Sequence, residues 1–134
     1  MKRQNDDYIL IVDDSETNNV LLEALLEDVG YNTKTALSAS EGWILIHEKK
    51  PHLILLDLLM PKISGFQMLD RLKANEKFSD IPVVIVSALN EPDTIDTLMK
   101  AGADDFFAKP INIKTIILRV QELFPLNEAT EKNE

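Results

Sequence analysis

Short, unbroken apolar runs alternate with amphipathic segments five times along this chain, and that alternation restricts its fold more than any other feature. Tyr8 to Val12 (YILIV), Leu53 to Leu56 (LILL) and Val83 to Val86 (VVIV) are apolar throughout, as strands covered on both faces must be. Phe106 and Phe107 mark a short fifth strand. Tyr31 to Leu37 is more polar, with Tyr31, Thr33 and Thr35 alternating, which suits a sheet edge. Between the strands lie helical patterns with their own stop and start signals. Ser15 is placed to cap a helix in which Val20, Leu21, Leu25 and Leu26 recur, and Gly30 closes it. Ser38 and Glu41 form a capping-box pattern before Trp43, Ile44 and Ile46, with Pro51 as the stop. A third helix with Phe66, Met68, Leu69 and Leu72 follows Gly65. The fourth is expected to start at an Asn90 cap with Pro92 near its first position and to close at Gly102. The last runs from Ile113 to Phe124 and stops at Pro125.

Alternating strands and helices require parallel strands joined by right-handed crossovers, with helices on both faces of one sheet. The expected fold is a doubly wound α/β domain with a five-stranded parallel sheet in the order 2-1-3-4-5, spanning residues 1–125. Residues 126–134 read as an acidic polar tail or the start of a linker. A chain of 134 residues, 45% hydrophobic, can bury roughly two-thirds of its unfolded surface in one core. It has no cysteine, so disulfides and thiolate metal sites are excluded. The N-terminus turns acidic where a secretory leader would need apolar residues, and every apolar run is far shorter than the ~20 residues of a membrane span. A cytoplasmic protein is expected. With a net charge of -9, direct binding to nucleic acid or an anionic membrane is not expected.

In sheets of this kind ligands bind beyond the carboxyl ends of the strands, where the strand order reverses. The first strand ends in Asp13-Asp14, the third in Asp57, the fourth in Ser87 and the fifth in Lys109, whereas the second ends in uncharged Leu37-Ser38. Singly, these are ordinary residues: caps and turns for the acids and the serine, a surface position for the lysine. The order 2-1-3-4-5 brings all four polar ends into one cleft. Three carboxylates packed together repel, and a hard divalent cation with oxygen ligands relieves the conflict, Mg²⁺ above all and Mn²⁺ as a substitute. An ionised Asp57 is then a nucleophile toward a phosphoryl group and needs no base. Mg²⁺, the Lys109 ammonium and the Ser87 hydroxyl can stabilise the transferring oxygens.

At these residues the chain resembles the receiver domains of bacterial two-component response regulators, the chemotaxis regulator among them. The matching segments are IVDDSETNNVLLEALLEDVGY, LILLDLLMPKISGFQML, PVVIVSA and AGADDFFAKPI, and the resemblance runs from Tyr8 to Phe124. It implies a flavodoxin-like (βα)5 fold and a switch phosphorylated on Asp57 by the phosphohistidine of a sensor histidine kinase or phosphotransfer protein. It further implies that Asp14, Asp57 and the Leu59 carbonyl hold Mg²⁺ directly, with Asp13 acting mainly through water. Lys109 would contact the phosphoryl oxygens after a cis Lys109-Pro110 bond. Ser87 and Phe107 would be the switch pair, without the hydroxyl of a tyrosine at 107. The face of helix 4, strand 5 and helix 5 would then engage an effector domain or protein, a phosphorylation-dependent dimer included. Leu59 and Leu89 stand where the family flanks the approach of hydrolytic water, which implies slow loss of the phosphoryl group.

Other readings of the same cleft are weaker. A flavin carrier needs a Ser-, Thr- and Gly-rich loop where this chain has Asp13-Asp14. A phosphohydrolase of the haloacid dehalogenase kind needs a second Asp where Leu59 stands. A receiver-like interaction module without phosphorylation has no use for the complete acidic cluster, Ser87 and Lys109. His47 and His52 are expected away from the cleft, Trp43 as a packing residue, and Asp104 or Asp105 in ion pairs on the output face.

Overall fold

The computed structural model describes residues 7–60 and 64–126. Five strands alternate with five helices: β1 (Tyr8–Val12), α1 (Glu16–Val29), β2 (Asn32–Ala36), α2 (Ala39–Glu48), β3 (Leu53–Leu56), α3 (Gly65–Ala74), β4 (Val83–Ser87), α4 (Pro92–Lys100), β5 (Asp105–Ala108) and α5 (Ile113–Leu123). All strand pairs are parallel, and the order is β2-β1-β3-β4-β5, the doubly wound topology expected.

Successive side chains of a strand leave opposite faces, so an all-apolar strand feeds two cores. Tyr8, Leu10 and Val12 of β1, Ile54 and Leu56 of β3, and Val83 and Ile85 of β4 enter one core, against Ile46, Met68, Leu69, Leu72 and Leu98 of α2, α3 and α4. Their neighbours Ile9, Ile11, Leu53, Leu55, Val84 and Val86 enter the other, against Leu22 and Leu26 of α1 and Ile116 and Val120 of α5. β2 lies at the edge, and four of its five residues are only partly buried.

Several local expectations need correction. On α1 the buried residues are Asn19, Leu22 and Leu26, while Val20 and Leu21 are 58% and 43% exposed. Apolar residues at consecutive positions support more than one stripe, and the sheet selects the one carrying Asn19. Ile44 of α2 likewise faces solvent. Tyr31 does not join β2: its N–H closes the end of α1 on the Leu26 carbonyl, and its ring packs on Phe124. The N-cap of α4 is Glu91 rather than Asn90 and makes no side-chain capping bond; the helix starts on Pro92, whose missing N–H needs no partner there. Glu41 reaches past the Ser38 cap to the N–H of Leu37, at 3.0 Å. The α3 start carries a full capping box between Ser64 and Gln67 that the Gly65 signal concealed. Leu126, grouped with the tail by composition, packs against the α1–α5 core, and residues 127–134 of that tail lie outside the described residues.

No described helix is long and apolar enough to cross a membrane. Gly30 ends α1 at φ 120°, a conformation that costs a residue with a Cβ. Gly30→Ala is expected to lower the unfolding free energy by about 1–2 kcal/mol, read from the urea midpoint.

Candidate functional site

The register of the sheet builds the site. Val12 of β1 pairs with Leu56 of β3, and the Asp57 N–H donates to the Val12 carbonyl at 2.9 Å. Asp13 and Asp57 therefore leave adjacent strands at the same level. Ser87 of β4 pairs with Ala108 of β5, and the Lys109 N–H donates to the Ser87 carbonyl at 3.0 Å. The four polar strand ends expected from the sequence thus meet at one end of the sheet. Asp13 and Asp57 are each 4% exposed and Ser87 is fully buried, whereas Asp14 is exposed.

A backbone amide holds one side-chain oxygen of each buried member. The Ser15 N–H donates to Asp13 Oδ1 at 2.9 Å, the Leu59 N–H to Asp57 Oδ1 at 3.3 Å, and the Leu89 N–H to Ser87 Oγ at 3.2 Å. Lys109, which follows β5 and precedes a cis peptide bond to Pro110, reaches both inner carboxylates. Its Nζ lies 2.8 Å from Asp13 Oδ2 and 3.6 Å from Asp57 Oδ2. Phe107, paired with Val86 one step below Ser87, packs half-buried against the α1–α5 core. Leu59 is 52% exposed beside the pocket, while the Leu89 side chain packs on the α2–α4 core.

Charge is unbalanced here. Asp13, Asp14 and Asp57 can each offer a carboxylate oxygen within 4.8 Å of the others, and one ammonium faces them. Burial, then the neighbouring Asp13 charge, pushes the Asp57 carboxyl above its usual range, and Lys109 offsets this only in part. Burial alone would depress Lys109, but its hydrogen bond to Asp13 and the two carboxylate charges outweigh that and raise it. An all-oxygen, carboxylate-rich donor set with surplus negative charge fits a hard cation such as Mg²⁺.

Other sequence candidates fall elsewhere. His52 lies at the opposite end of the sheet, its N–H on the Tyr8 carbonyl, and His47 sits among Trp43 and Phe78. Asp104 Oδ2 accepts the Val83 N–H at 2.8 Å, and Asp105 pairs with Arg119 of α5 at 2.6 Å, so the ion pair expected on the β5–α5 face is present. Sequence reading passed over Asn19, whose buried amide touches the Asp13 carbonyl. No local signal marks it, because the sequence leaves open which stripe of α1 turns inward.

The raised Asp57 pKa has a consequence for stability. Between the unfolded value of 3.8 and the higher folded value, the native state binds more protons than the unfolded state. Stability contributed by the protonated group is therefore full below that window and is lost as pH rises through it. Asp57→Asn is expected to raise the urea midpoint at pH 7, with the gain vanishing toward pH 3.5; an equal effect at both pH values would contradict the assignment.

Comparisons with known proteins agree with this arrangement. Residues 9–121 match the family model of the response regulator receiver domain. The DNA-binding dual master transcriptional regulator RpaA of Synechocystis sp. is 36% identical over 86% of this chain and 48% of its own length. The phosphate regulon transcriptional regulatory protein PhoB of Pseudomonas aeruginosa is 34% identical over 84% of this chain and 49% of its own. The chain thus spans about half the length of the curated relatives it matches. Among solved structures, the signal receiver domain of a signal transduction histidine kinase from Syntrophus aciditrophicus superposes with TM-score 0.80 at 32% identity, covering 87% of this chain and 89% of that one. The receiver domain of NtrX from Brucella abortus does so with TM-score 0.79 at 30% identity, covering 86% and 96%. With its sheet order, its acidic strand ends and its match over residues 9–121, this chain belongs to the receiver domains of two-component response regulators.

Proposed function

We propose that Asp57 is the phosphoryl acceptor of this switch and that Asp13, Asp14, Ser87 and Lys109 serve the transfer. The observation that carries the reading is Lys109 Nζ bridging Asp13 and Asp57 at the end of the central strand. Asp57 Oδ attacks the phosphorus of a donor phosphohistidine. The new O–P bond forms as the P–N bond breaks, and the imidazole leaves with the electron pair. A Mg²⁺ ion would be held by Asp14, Asp57 and the Leu59 carbonyl, with Asp13 behind them, and would neutralise charge on the transferring oxygens. Asp14 is the exposed member of the cluster and is open to an incoming cation. Lys109 and the Ser87 hydroxyl donate to the phosphoryl oxygens; Ser87 Oγ accepts the Leu89 N–H and keeps its own O–H proton for that role.

The donor is a sensor histidine kinase or a phosphotransfer protein. The receiving surface for an effector domain or protein is the α4–β5–α5 face, which carries the Arg119–Asp105 pair and the exposed Met99, Ile113 and Leu118. The chain catalyses only its own phosphorylation and dephosphorylation. Residues 1–125 form the receiver unit and 126–134 a tail or linker, whose first residue, Leu126, packs back on the α1–α5 core.

With acetyl phosphate and Mg²⁺, mass mapping is expected to place one phosphoryl group on Asp57 and none in Asp57→Asn; comparable stable labelling of that variant would refute the acceptor. The phosphorylated form is expected to survive for minutes or longer, because exposed Leu59 can neither orient water nor donate a hydrogen bond to it. Leu59→Asn is expected to shorten that lifetime, within the ~10²–10⁴-fold range of general acid–base effects. Decay of the unaltered protein within seconds would show that Leu59 is no barrier.

A further inference from the structure

Asn19 is 2% exposed on the inward stripe of α1, in line with Leu22 and Leu26. Its Nδ2 donates to two carbonyls at once, Asp13 at 3.0 Å and Ala36 at 3.2 Å. The first is the oxygen of the peptide joining Asp13 to Asp14. The second is the last carbonyl of β2, which also accepts the Asp13 N–H at 3.1 Å. One amide therefore ties the backbone between the two acidic residues to the edge strand beside it. The opposite end of the same side chain is unusual: Asn19 Oδ1 is buried and has no hydrogen-bond partner among the described residues. A buried acceptor left unpaired is destabilising, and leucine has the same branched skeleton without that liability. Core packing thus does not explain an amide at this position. Its two donors do, since they are what an apolar side chain lacks.

We infer that Asn19 is a positioning residue for the acidic pocket, holding the Asp13–Asp14 peptide at the end of β1 so that both carboxylates are presented to a divalent cation. The inference rests on the proposed cation site, because it assigns Asn19 the outer role there. Groups that orient metal ligands through a hydrogen bond typically change affinity ten- to hundredfold when removed. Asn19 does so through the peptide oxygen rather than through a carboxylate, and so acts on the placement of both side chains together. Nothing in this role requires Asn19 to touch the cation or the phosphoryl group.

The test separates placement from packing. Mg²⁺ affinity is measured by calorimetry on the full chain, unaltered and as Asn19→Leu, together with urea unfolding in the absence of metal. The expected result is a Mg²⁺ Kd weakened about tenfold or more in Asn19→Leu with a metal-free urea midpoint no lower than that of the unaltered protein. An unchanged Kd overturns the inference, whatever happens to the midpoint. Should Asn19→Leu fail to fold, the unaltered protein still decides. The Asn19 side-chain amide resonances are followed by NMR during Mg²⁺ titration, and are expected to shift with the same Kd as the bulk binding curve. Resonances that stay fixed at saturating Mg²⁺ overturn the inference while leaving the cation site standing. Absence of Mg²⁺ binding by the unaltered protein overturns both.

Discussion

The pairing of β1 with β3 is the constraint on which the site depends. Ile9, Leu10, Ile11 and Val12 lie opposite Leu53, Ile54, Leu55 and Leu56, and every one of these side chains is buried. Sliding one strand by a residue would carry each of them to the wrong core, so burial fixes the register far more firmly than the hydrogen bonds alone could. The register in turn decides chemistry. Only in this alignment do Asp13 and Asp57 leave the sheet side by side, close enough for one lysine to touch both. The apolar strands thus act at a distance: they contribute nothing to the pocket except its spacing.

That spacing is electrostatically unfavourable. Two carboxylates that are almost wholly buried, with a third nearby, face one ammonium, and the raised Asp57 pKa is the local sign of the cost. The hydrophobic layers on both sides of the sheet offset it, since a core of this size can carry one strained polar cluster. A cation or a positive donor group relieves what a single ammonium leaves unresolved, which is why the cluster reads as a binding site rather than a structural ion-pair network. A structural network would close its charges. Arg119 on the α5 surface comes nearer to that: it pairs with Asp105 and Glu122 where solvent screens the surplus charge, and nothing about these pairs calls for a ligand.

Much of this was legible in the sequence because it follows from short-range rules. Strands buried on both faces must be apolar throughout, so β1, β3 and β4 were placed within a residue of their observed bounds. The Ser15 and Ser38 caps and the Gly30 stop follow from local chemistry as well. The readings that failed depend on partners distant in the chain. Which stripe of α1 faces inward is chosen by the sheet, and several apolar residues in succession left that choice open. Asn90 is a better capping residue than Glu91, yet Pro92 sets the start of α4 at the residue behind it. Tyr31 looks like the first residue of an alternating strand, but Phe124, 93 positions away, offers its carbonyl to the Tyr31 hydroxyl and draws the residue out of the sheet. That Asp13, Asp14, Asp57, Ser87 and Lys109 come together was legible because strand ends mark them. Asn19 was missed because nothing local distinguishes a buried asparagine from a solvated one.

Gly65 shows how tightly the remaining side of the pocket is drawn. A Cβ on this first residue of α3 would stand 2.3 Å from the Asp57 carbonyl oxygen and 2.7 Å from Leu58 Cα, both backbone atoms that cannot yield. The Gly65 N–H meanwhile donates to the Leu58 carbonyl at 3.0 Å. The helix start is therefore pressed against the peptide that follows Asp57, and no side chain fits between them. With β1 holding the Asp57 N–H from the other direction, the backbone of this residue is gripped on two sides by groups that belong to different layers. The backbone of Asp13 is gripped in a comparable way, its N–H by the Ala36 carbonyl of β2 and its carbonyl by Asn19. Both acidic loops are thus anchored through their main chains, which leaves the carboxylate oxygens and the long Lys109 side chain as the parts free to rearrange. A pocket anchored in this manner can exchange charge partners, a cation for the ammonium beside the carboxylates or another anion for the carboxylates beside Lys109, without moving the strands that define it.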